Sequence, residues 1–238
     1  MMQLVSKTTE SLNESERIQL ETIIRRYYKG AKDGFIDQRI RKGTDFEIVL
    51  QKEGEEVLAA SFYHLQEGSS PFFKKSFIAQ FGIAVKKEGH RGNVIWKNST
   101  WYAKNRVGAF YLLNNAIGIS MICNPKVFEN FVKLFPYNYP FQTTENKDRI
   151  IDFLHTYFRG RNIPVQLDGH LCFQDENICA TDITEEYAGY YRSKNERINT
   201  LFFELGILSK KEDKIYLTGK HITVCGCRNP FGFRRKIK

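Results

Sequence analysis

A short cationic loop is the segment of this sequence best suited to chemistry. It reads Lys86-Lys87-Glu88-Gly89-His90-Arg91-Gly92-Asn93 and lies between an apolar run, 77–85, and a stretch with helical spacing, 94–104. The first N–H groups of a helix have no intrahelical partner, and the helix dipole adds partial positive charge there. Glycine lets a phosphate approach the backbone closely. The pattern therefore predicts an anion site, although an ordinary strand-to-helix turn with solvated lysines fits the same residues.

The segments before this loop predict a helix and a β-hairpin. Ser11 and Glu14 have the spacing of a capping box, and apolar residues then recur at helical intervals over 11–28. Two apolar stretches, 46–51 and 57–65, flank a polar turn and are typical of paired strands. A helix followed by a hairpin thus leads into the apolar strand that precedes the loop.

The segments after the loop alternate between helix and strand patterns. Residues 107–115 fit either type, 116–123 predict a strand, and Pro125 suits the first turn of a helix that ends near Pro136. The later predictions are a helix over 144–158, a hairpin over 165–179, a helix or loop over 184–191, a helix over 196–205, and strands at 215–217 and 222–225. This order predicts an α/β fold with a mixed central sheet and helices on both faces.

A shift in composition after Pro140 predicts two domains. The first, 1–140, would hold the anion site. The second, 141–238, would be a C-terminal extension that completes the fold and covers the acceptor side of the site.

The residues around the loop resemble the GNAT (N-acetyltransferase) superfamily, over roughly 11–140. In that family a strand ending near a valine leads into an Arg-Gly-x-Gly-x-Gly type loop, whose amides hold the pyrophosphate of acyl-CoA. Here Val85 is followed by Arg91-Gly92-Asn93-Val94-Ile95-Trp96. A second match is a strand followed by Asn124, with an aromatic residue, Phe131, seven positions on. The resemblance implies an acyl-CoA site, without a metal, formed by Val85, His90, Arg91, Gly92, Asn93, Val94, Asn124 and Phe131.

The sequence departs from the family's pattern at two places. The later glycines of the loop are Val94 and Trp96 here, and their side chains would narrow the approach of a pyrophosphate. The tyrosine that is the family's frequent general acid is replaced by Phe131, which has no proton to give. Another group must then protonate the leaving thiolate.

The activity that the resemblance implies is N-acyl transfer from an acyl thioester to an amine. A base removes the proton of the attacking amine, and a backbone amide near the end of strand 77–85 polarises the carbonyl oxygen. Glu88, His64 and His90 are candidate bases, and Tyr139, Tyr137 or solvent could supply the acid. His64 equally fits a partly buried, hydrogen-bonded position on a strand, and Tyr139 fits a core position.

The charge of the chain leaves other partners and a second function open. Lys and Arg outnumber Asp and Glu by 36 to 27, for a net charge of +9, which favours an anionic partner. An acidic acyl carrier protein is therefore an alternative donor to acyl-CoA. Nucleic acid is a less favoured partner, indicated by basic and aromatic residues over 231–235. The alternative function is a non-catalytic GNAT-like binding module for nucleotide, nucleic acid or protein, since the lost glycines fit a degenerate enzyme.

The remaining features predict a cytoplasmic protein. No apolar run approaches the roughly 20 residues of a membrane span, and the first residues lack an apolar signal core. Five cysteines are an odd number, and their low density indicates reduced thiols. His170 and Cys172 could ligate zinc together with Cys225 and Cys227, but packing on a strand explains these residues equally well. We predict no metal.

Overall fold

In a computed structural model, the described residues are 2–41, 45–106, 108, 116–141, 147–163 and 167–227. The side chains of Gln38, Arg41 and Trp96 are not among them. Three features of the sequence lie outside the described residues, namely the ambiguous stretch 107–115 apart from Gly108, the predicted helix start at 144, and the tail residues 231–235.

The chain forms two compact units. The first holds Met1–His64, Gln80–Ala109 and Glu176–Thr181, and the second holds Leu65–Ala79, Phe110–Asp175 and Asp182–Lys238. The strands are β1 (Met2–Thr8), β2 (Glu47–Glu53), β3 (Glu56–Gly68), β4 (Ser76–Lys86), β5 (Ala116–Ile122), β6 (Tyr137–Tyr139), β7 (Cys172–Gln174), β8 (Thr181–Asp182), β9 (Leu208–Lys211), β10 (Lys214–Leu217) and β11 (Lys220–Cys227). The helices are α1 (Glu14–Tyr27), α2 (Asp33–Ile36), α3 (Val94–Arg106), α4 (Pro125–Leu134), α5 (Lys147–Gly160), α6 (Thr184–Glu186) and α7 (Glu196–Glu204), with π-helical turns at Asp37–Arg41 and Tyr187–Tyr191.

Helices cover both faces of the sheet in the first unit. Its strand order is β1-β2-β3-β4, and both β1 and β3 pair with β2 in antiparallel fashion. Ile48 and Leu50 of β2 belong to one apolar cluster with residues of α1. Gln51 is hydrogen-bonded instead to Asn98 of α3. Because successive side chains of a strand point to opposite faces, α1 and α3 lie on opposite sides of β2.

The start of α1 corrects the predicted capping box. Asn13, rather than Ser11, is the cap, since its side chain accepts from the backbone N–H of Glu16 at 2.8 Å. The carboxylate of Glu16 in turn accepts from the backbone N–H of Asn13 at 3.1 Å. Ser11 donates its hydroxyl to the carbonyl oxygen of Thr8 at 3.0 Å and so closes the turn before the cap. Both spacings contain a capping residue and a glutamate, so spacing alone does not choose between them.

Three strands form the sheet of the second unit, with a fourth attached. β11 pairs in antiparallel fashion with β5 and with β6, and β7 pairs with β11 beside them. The predicted hairpin over 165–179 is wrong, because β7 has β11 as its partner, from Cys172 opposite Ile222 to Gln174 opposite Lys220. The sequence analysis missed β9, which pairs with β10.

Phe135, which follows α4, lies so close to two positions of this sheet that only glycine fits there without movement. A Cβ added to Gly118 would stand 2.4 Å from Cε2 of Phe135, and one added to Gly226 would stand 2.8 Å from Cβ of Phe135. The alternate residues Cys225 and Cys227 pack instead in a cluster with α5. Helices therefore cover both faces here too, and the predicted α/β class with a central sheet flanked by helices is confirmed. The sheet was predicted to be mixed, and the observed pairing is mostly antiparallel.

Candidate functional site

The cationic loop lies between the end of β4 and the start of α3, as the sequence predicts. Val85 and Val94 are buried at its two ends, with exposed fractions of 3% and 7%. The backbone N–H of Lys87 donates to the carbonyl oxygen of Leu58 at 2.7 Å and fixes where the loop leaves the sheet. Between these anchors Lys87, Glu88, Gly89, Arg91, Gly92 and Asn93 are exposed. The exposed loop thus leads directly into a 13-residue helix, and Lys97 in the first turn of that helix is exposed.

Gly92 adopts a conformation that suits glycine. Its φ is +110°, a region that residues with a Cβ rarely occupy. Nζ of Lys97 lies 3.4 Å from the position that a Cβ on Gly92 would take, so this ammonium group folds back over the loop. Lys97, one turn into α3, is a cation of the site that the sequence analysis missed. Its position in the sequence, five residues after Gly92, was the signal that could have indicated a cation near the loop.

His90 is joined to the interior by two buried amides. Nε2 of His90 lies 2.9 Å from Oε1 of Gln51, and Nε2 of Gln51 donates to Oδ1 of Asn98 at 2.6 Å. Nδ2 of Asn98 donates to the carbonyl oxygen of Val49 at 3.2 Å and to the hydroxyl of Ser61 at 3.0 Å. Gln51 and Asn98 are both 0% exposed. We call Gln51, Ser61 and Asn98 the amide relay.

The orientation of the amide relay determines which ring nitrogen of neutral His90 carries the proton. The carbonyl of Val49 can only accept, so the nitrogen of Asn98 faces it and the oxygen of Asn98 faces Gln51. Gln51 must then donate to Asn98, which leaves its own oxygen to accept from His90. The proton of neutral His90 therefore resides on Nε2. Burial lowers the pKa of His90, and the charges of Lys86 and Lys97 lower it further, which favours the neutral ring.

The buried side of α3 continues this polar character. The hydroxyls of Tyr63 and Ser99 lie 3.0 Å apart, and the rings of Tyr63 and Tyr102 are stacked with centroids 4.5 Å apart. Burial raises the pKa of both tyrosine hydroxyls, so they are neutral. Polar residues inside the apolar strand patterns, such as Gln51 and Ser61, were the signal that could have found this layer.

Glu88 and His64, two of the three candidate bases, have different surroundings. Glu88 is exposed and forms an ion pair with Arg26 at 2.5 Å, which lowers the pKa of the carboxyl group. Nδ1 of His64 lies 3.2 Å from a carboxylate oxygen of Asp45, and the His64 side chain is 14% exposed. A carboxylate that orients an imidazole ring is a common arrangement for a proton acceptor.

The other predicted site residues belong to the second unit and have structural surroundings there. Asn124 caps α4, where its side-chain oxygen accepts from the N–H groups of Lys126 and Val127 and its nitrogen donates to the carbonyl of Tyr190 at 3.1 Å. Phe131 is 4% exposed and packs against the ring of Phe135, and Tyr139 is 3% exposed. Burial raises the pKa of the Tyr139 hydroxyl, and so does the charge of Asp148.

Neither a metal cluster nor a membrane-crossing helix occurs among the described residues. No three His, Cys, Asp or Glu side chains in those ranges are grouped so as to hold a metal ion. Cys172 and Cys225 are buried, and burial raises the pKa of both thiols, to about 11 for Cys172. Protonated thiols of this kind pack as apolar groups. Within the same ranges every helix is too short or too polar to traverse a bilayer.

Comparisons with known proteins bear on the fold alone. No protein-family model and no curated protein matches the sequence. A transcriptional regulator from Bacillus halodurans matches with 16% identity and a TM-score of 0.32, over 44% of this chain and 76% of that one. A probable N-acyltransferase from Enterococcus faecalis matches with 8% identity and a TM-score of 0.38, over 57% of this chain and 32% of that one, so the match spans about a third of that protein. An aminoglycoside N-acetyltransferase in complex with CoA matches with 8% identity and a TM-score of 0.33, over 44% of this chain and 72% of that one.

The order of elements can be compared with the one that the resemblance to the GNAT superfamily predicts. The structure has the expected order of helix, hairpin, strand, glycine loop, helix, strand and helix over α1 to α4. Similarities as low as those found carry no argument about what this chain binds or which reaction it catalyses.

Proposed function

We propose that this protein is an N-acyltransferase whose loop at 85–94 binds the phosphates of acyl-CoA. The observation that carries the proposal is the loop itself. Two buried valines hold its ends, Gly92 is in a conformation that favours glycine, and the exposed cations Arg91 and Lys97 lie on either side of the start of α3. Unpaired amides together with a concentration of positive charge are the chemistry that a pyrophosphate requires.

The departure at Val94 is compatible with this proposal. Its side chain is buried, so it occupies the core rather than the solvent-facing side of the loop, and its N–H is in the first turn of α3. The loss of a glycine at this position therefore adds no bulk where a phosphate would approach. The side chain of Trp96, the other departure, is not among the described groups.

The proposed reaction is direct transfer to an amine. The amine nitrogen attacks the thioester carbonyl carbon, the C–S bond breaks, and the acyl group leaves the thiolate for the nitrogen. A base takes the proton that the nitrogen loses. His64, which Asp45 orients, fits this role better than Glu88, because the ion pair with Arg26 makes the carboxylate of Glu88 a weaker proton acceptor. Tyr139, the predicted acid for the thiolate, belongs to the second unit, and its role stays a prediction.

Acyl-CoA is the proposed donor, and an acyl carrier protein has only the net charge of the chain in its favour. Acyl-CoA is preferred because glycine, main-chain N–H groups and cationic side chains of one short loop are the groups that hold phosphates. A cytoplasmic location and a domain boundary near residue 140 remain predictions.

A non-catalytic binding module is the second candidate function. Phe131, at the position of the family's tyrosine, is buried among aromatic rings and has no proton to donate. A protein that has lost its acid would bind the donor without transferring the acyl group. Binding and turnover therefore have to be measured separately.

Turnover is tested with acetyl-CoA and longer acyl-CoA donors against a panel of primary amines, peptide N-termini included, by following release of the CoA thiol. Thiol release that depends on both the protein and an amine supports the transferase. Tight binding of donor with no amine-dependent release supports the binding module. Absence of binding by any acyl-CoA contradicts the transferase, and it leaves a binding module only for another nucleotide, nucleic acid or protein.

A further inference from the structure

His90 occupies a position between the interior and the proposed donor site. Its Nε2–H is engaged by Gln51, whose orientation is fixed by Asn98 through the carbonyl of Val49. Its other nitrogen, Nδ1, is bonded to the ring carbon nearest the loop backbone and has no hydrogen-bond partner within the described parts of the chain. Nε2 of the ring is therefore hydrogen-bonded toward the interior, and Nδ1 is the nitrogen that can take up a proton.

We propose that His90 couples binding of the anionic donor to uptake of a proton. Gln51 and Asn98 hold the ring so that Nδ1, once protonated, donates to a phosphate oxygen of the bound donor. This inference rests on the proposed function of the loop, and it identifies His90 as a residue that contacts the donor and the amide relay as the group that positions it.

The charges around the ring give the coupling its direction. Lys86 at the end of β4 and Lys97 on α3 oppose a charge on His90, and burial opposes it as well. On the side of β2 the ring is hydrogen-bonded to the neutral amide of Gln51. A phosphate placed among Lys86, Lys97 and the loop amides would offset the repulsion and attract the imidazolium ion. The affinity of the ring for a proton then rises on binding, and by linkage the donor binds more tightly as the pH falls.

The amide relay itself does not conduct protons. An amide donates through nitrogen and accepts through oxygen, so Gln51 and Asn98 fix a direction without exchanging a proton. Their role is positional, and it predicts a definite tautomer for neutral His90 before any ligand is present.

The experiment measures proton uptake directly. Calorimetric titration of the full-length protein with coenzyme A at pH 7, in buffers of low and high ionisation enthalpy, gives the protons bound per CoA. The matched variant is His90→Gln, whose side-chain nitrogen can still donate to Gln51 but cannot titrate. Because the 3′-phosphate of CoA titrates near neutral pH as well, the wild-type value is compared with the variant's. We expect wild type to bind at most about one more proton per CoA than His90→Gln. We also expect its affinity to fall up to about tenfold further than the variant's between pH 6 and pH 8.5.

Two further measurements separate this inference from the proposed function. Equal proton uptake by two proteins that both bind CoA overturns the inference and leaves the proposed function standing. In the protein without ligand, 15N NMR of the His90 ring is expected to show the proton on Nε2. A proton on Nδ1 instead overturns the inference whatever CoA does. In Gln51→Glu the new carboxylate should keep His90 charged before CoA binds, so this variant should take up fewer protons per CoA than wild type. Equal proton uptake by Gln51→Glu and wild type would also contradict the inference.

Discussion

The side-chain nitrogen of Gln51 donates to the side-chain oxygen of Asn98 at 2.6 Å, and both residues are fully buried. Replacing Asn98 with leucine would remove this partner and would also leave the carbonyl of Val49 and the hydroxyl of Ser61 without the nitrogen that they share. Buried polar groups that lose their partners destabilise a fold by about 1–3 kcal/mol. We therefore expect Asn98→Leu to lower the free energy of unfolding by about 3 kcal/mol in urea titrations.

Asn105→Leu is the control for this substitution, because Asn105 lies on the exposed side of the same helix. Its effect should stay within about 0.5 kcal/mol. Equal losses for the two variants would mean that the amide relay adds no stability beyond the helix propensity of asparagine.

The first unit shows which features a sequence carries locally. The strand before the loop and the start of α3 were predictable, because apolar periodicity and glycine position depend on neighbours in sequence. The amide relay was not, since Gln51 and Asn98 are separated by 47 positions and meet only when β2 and α3 pack together. Ser11 and Asn13 show a finer limit, since both fit a cap and tertiary contacts of Glu16 with Lys7 and Lys52 favour the second.

The close contact between Gly118 and Phe135 predicts a size limit in β5. A methyl group on Gly118 would stand 2.4 Å from the ring, a distance that requires the ring or the strand to move. Overpacking of this kind costs about 1–3 kcal/mol. We expect Gly118→Ala to lower the thermal midpoint of unfolding, and Gly118→Ala combined with Phe135→Leu to recover part of the loss.

Gly160→Ala at the end of α5 provides the comparison, because nothing lies within 4 Å of an added Cβ there. That variant should keep the wild-type midpoint. An unchanged midpoint for Gly118→Ala would show that the strand and ring relax freely.

Glu129 predicts part of the acid sensitivity of the second unit. Burial alone would raise the pKa of its carboxyl group, but hydrogen bonds from Lys133, Ser193 and the backbone of Lys194 outweigh burial and lower the pKa to about 2. Because the folded value lies below the ordinary 4.5, this stability is present above pH 4.5 and is lost as the pH falls toward 2. The full contribution is on the order of 3 kcal/mol.

Urea titrations at pH 7 and pH 3.5 test this assignment. Glu129→Gln should be less stable than wild type at pH 7, and the difference should shrink at pH 3.5. Glu204→Gln, at an exposed position on α7, should follow wild type at both values. If the free energies of unfolding of Glu129→Gln and wild type differed by the same amount at both pH values, the lowered pKa of Glu129 would not contribute to the pH dependence of stability.

The surroundings of the candidate bases His64 and Glu88 predict different losses of activity. His64→Gln should lower kcat by about 100-fold, because it removes the proton acceptor that Asp45 orients. Glu88→Gln should change kcat by less than about threefold, since a carboxyl group with a lowered pKa is a poor base. Steady-state rates with a saturating amine decide the point, and the reverse ranking would transfer the role to Glu88.

The candidate site was only partly visible in the sequence. Glycines and cations within eight consecutive residues mark the loop, because an anion site of this type is built from one turn of backbone. Asn124 illustrates the opposite case. Its match to a family pattern suggested a ligand contact, whereas its oxygen and nitrogen are both used to cap α4 and to hold the carbonyl of Tyr190.

Binding of coenzyme A to the loop tests the central claim most directly, by calorimetric titration of wild type, Arg91→Ala and Lys97→Ala, with Lys104→Ala at the far end of α3 as the control. We expect wild type and Lys104→Ala to bind alike and each of the other two variants to bind about tenfold more weakly, as loss of one charge-assisted hydrogen bond implies. Failure of wild type to bind coenzyme A, or equal affinities for all four proteins, would contradict the assignment of this loop as the donor site.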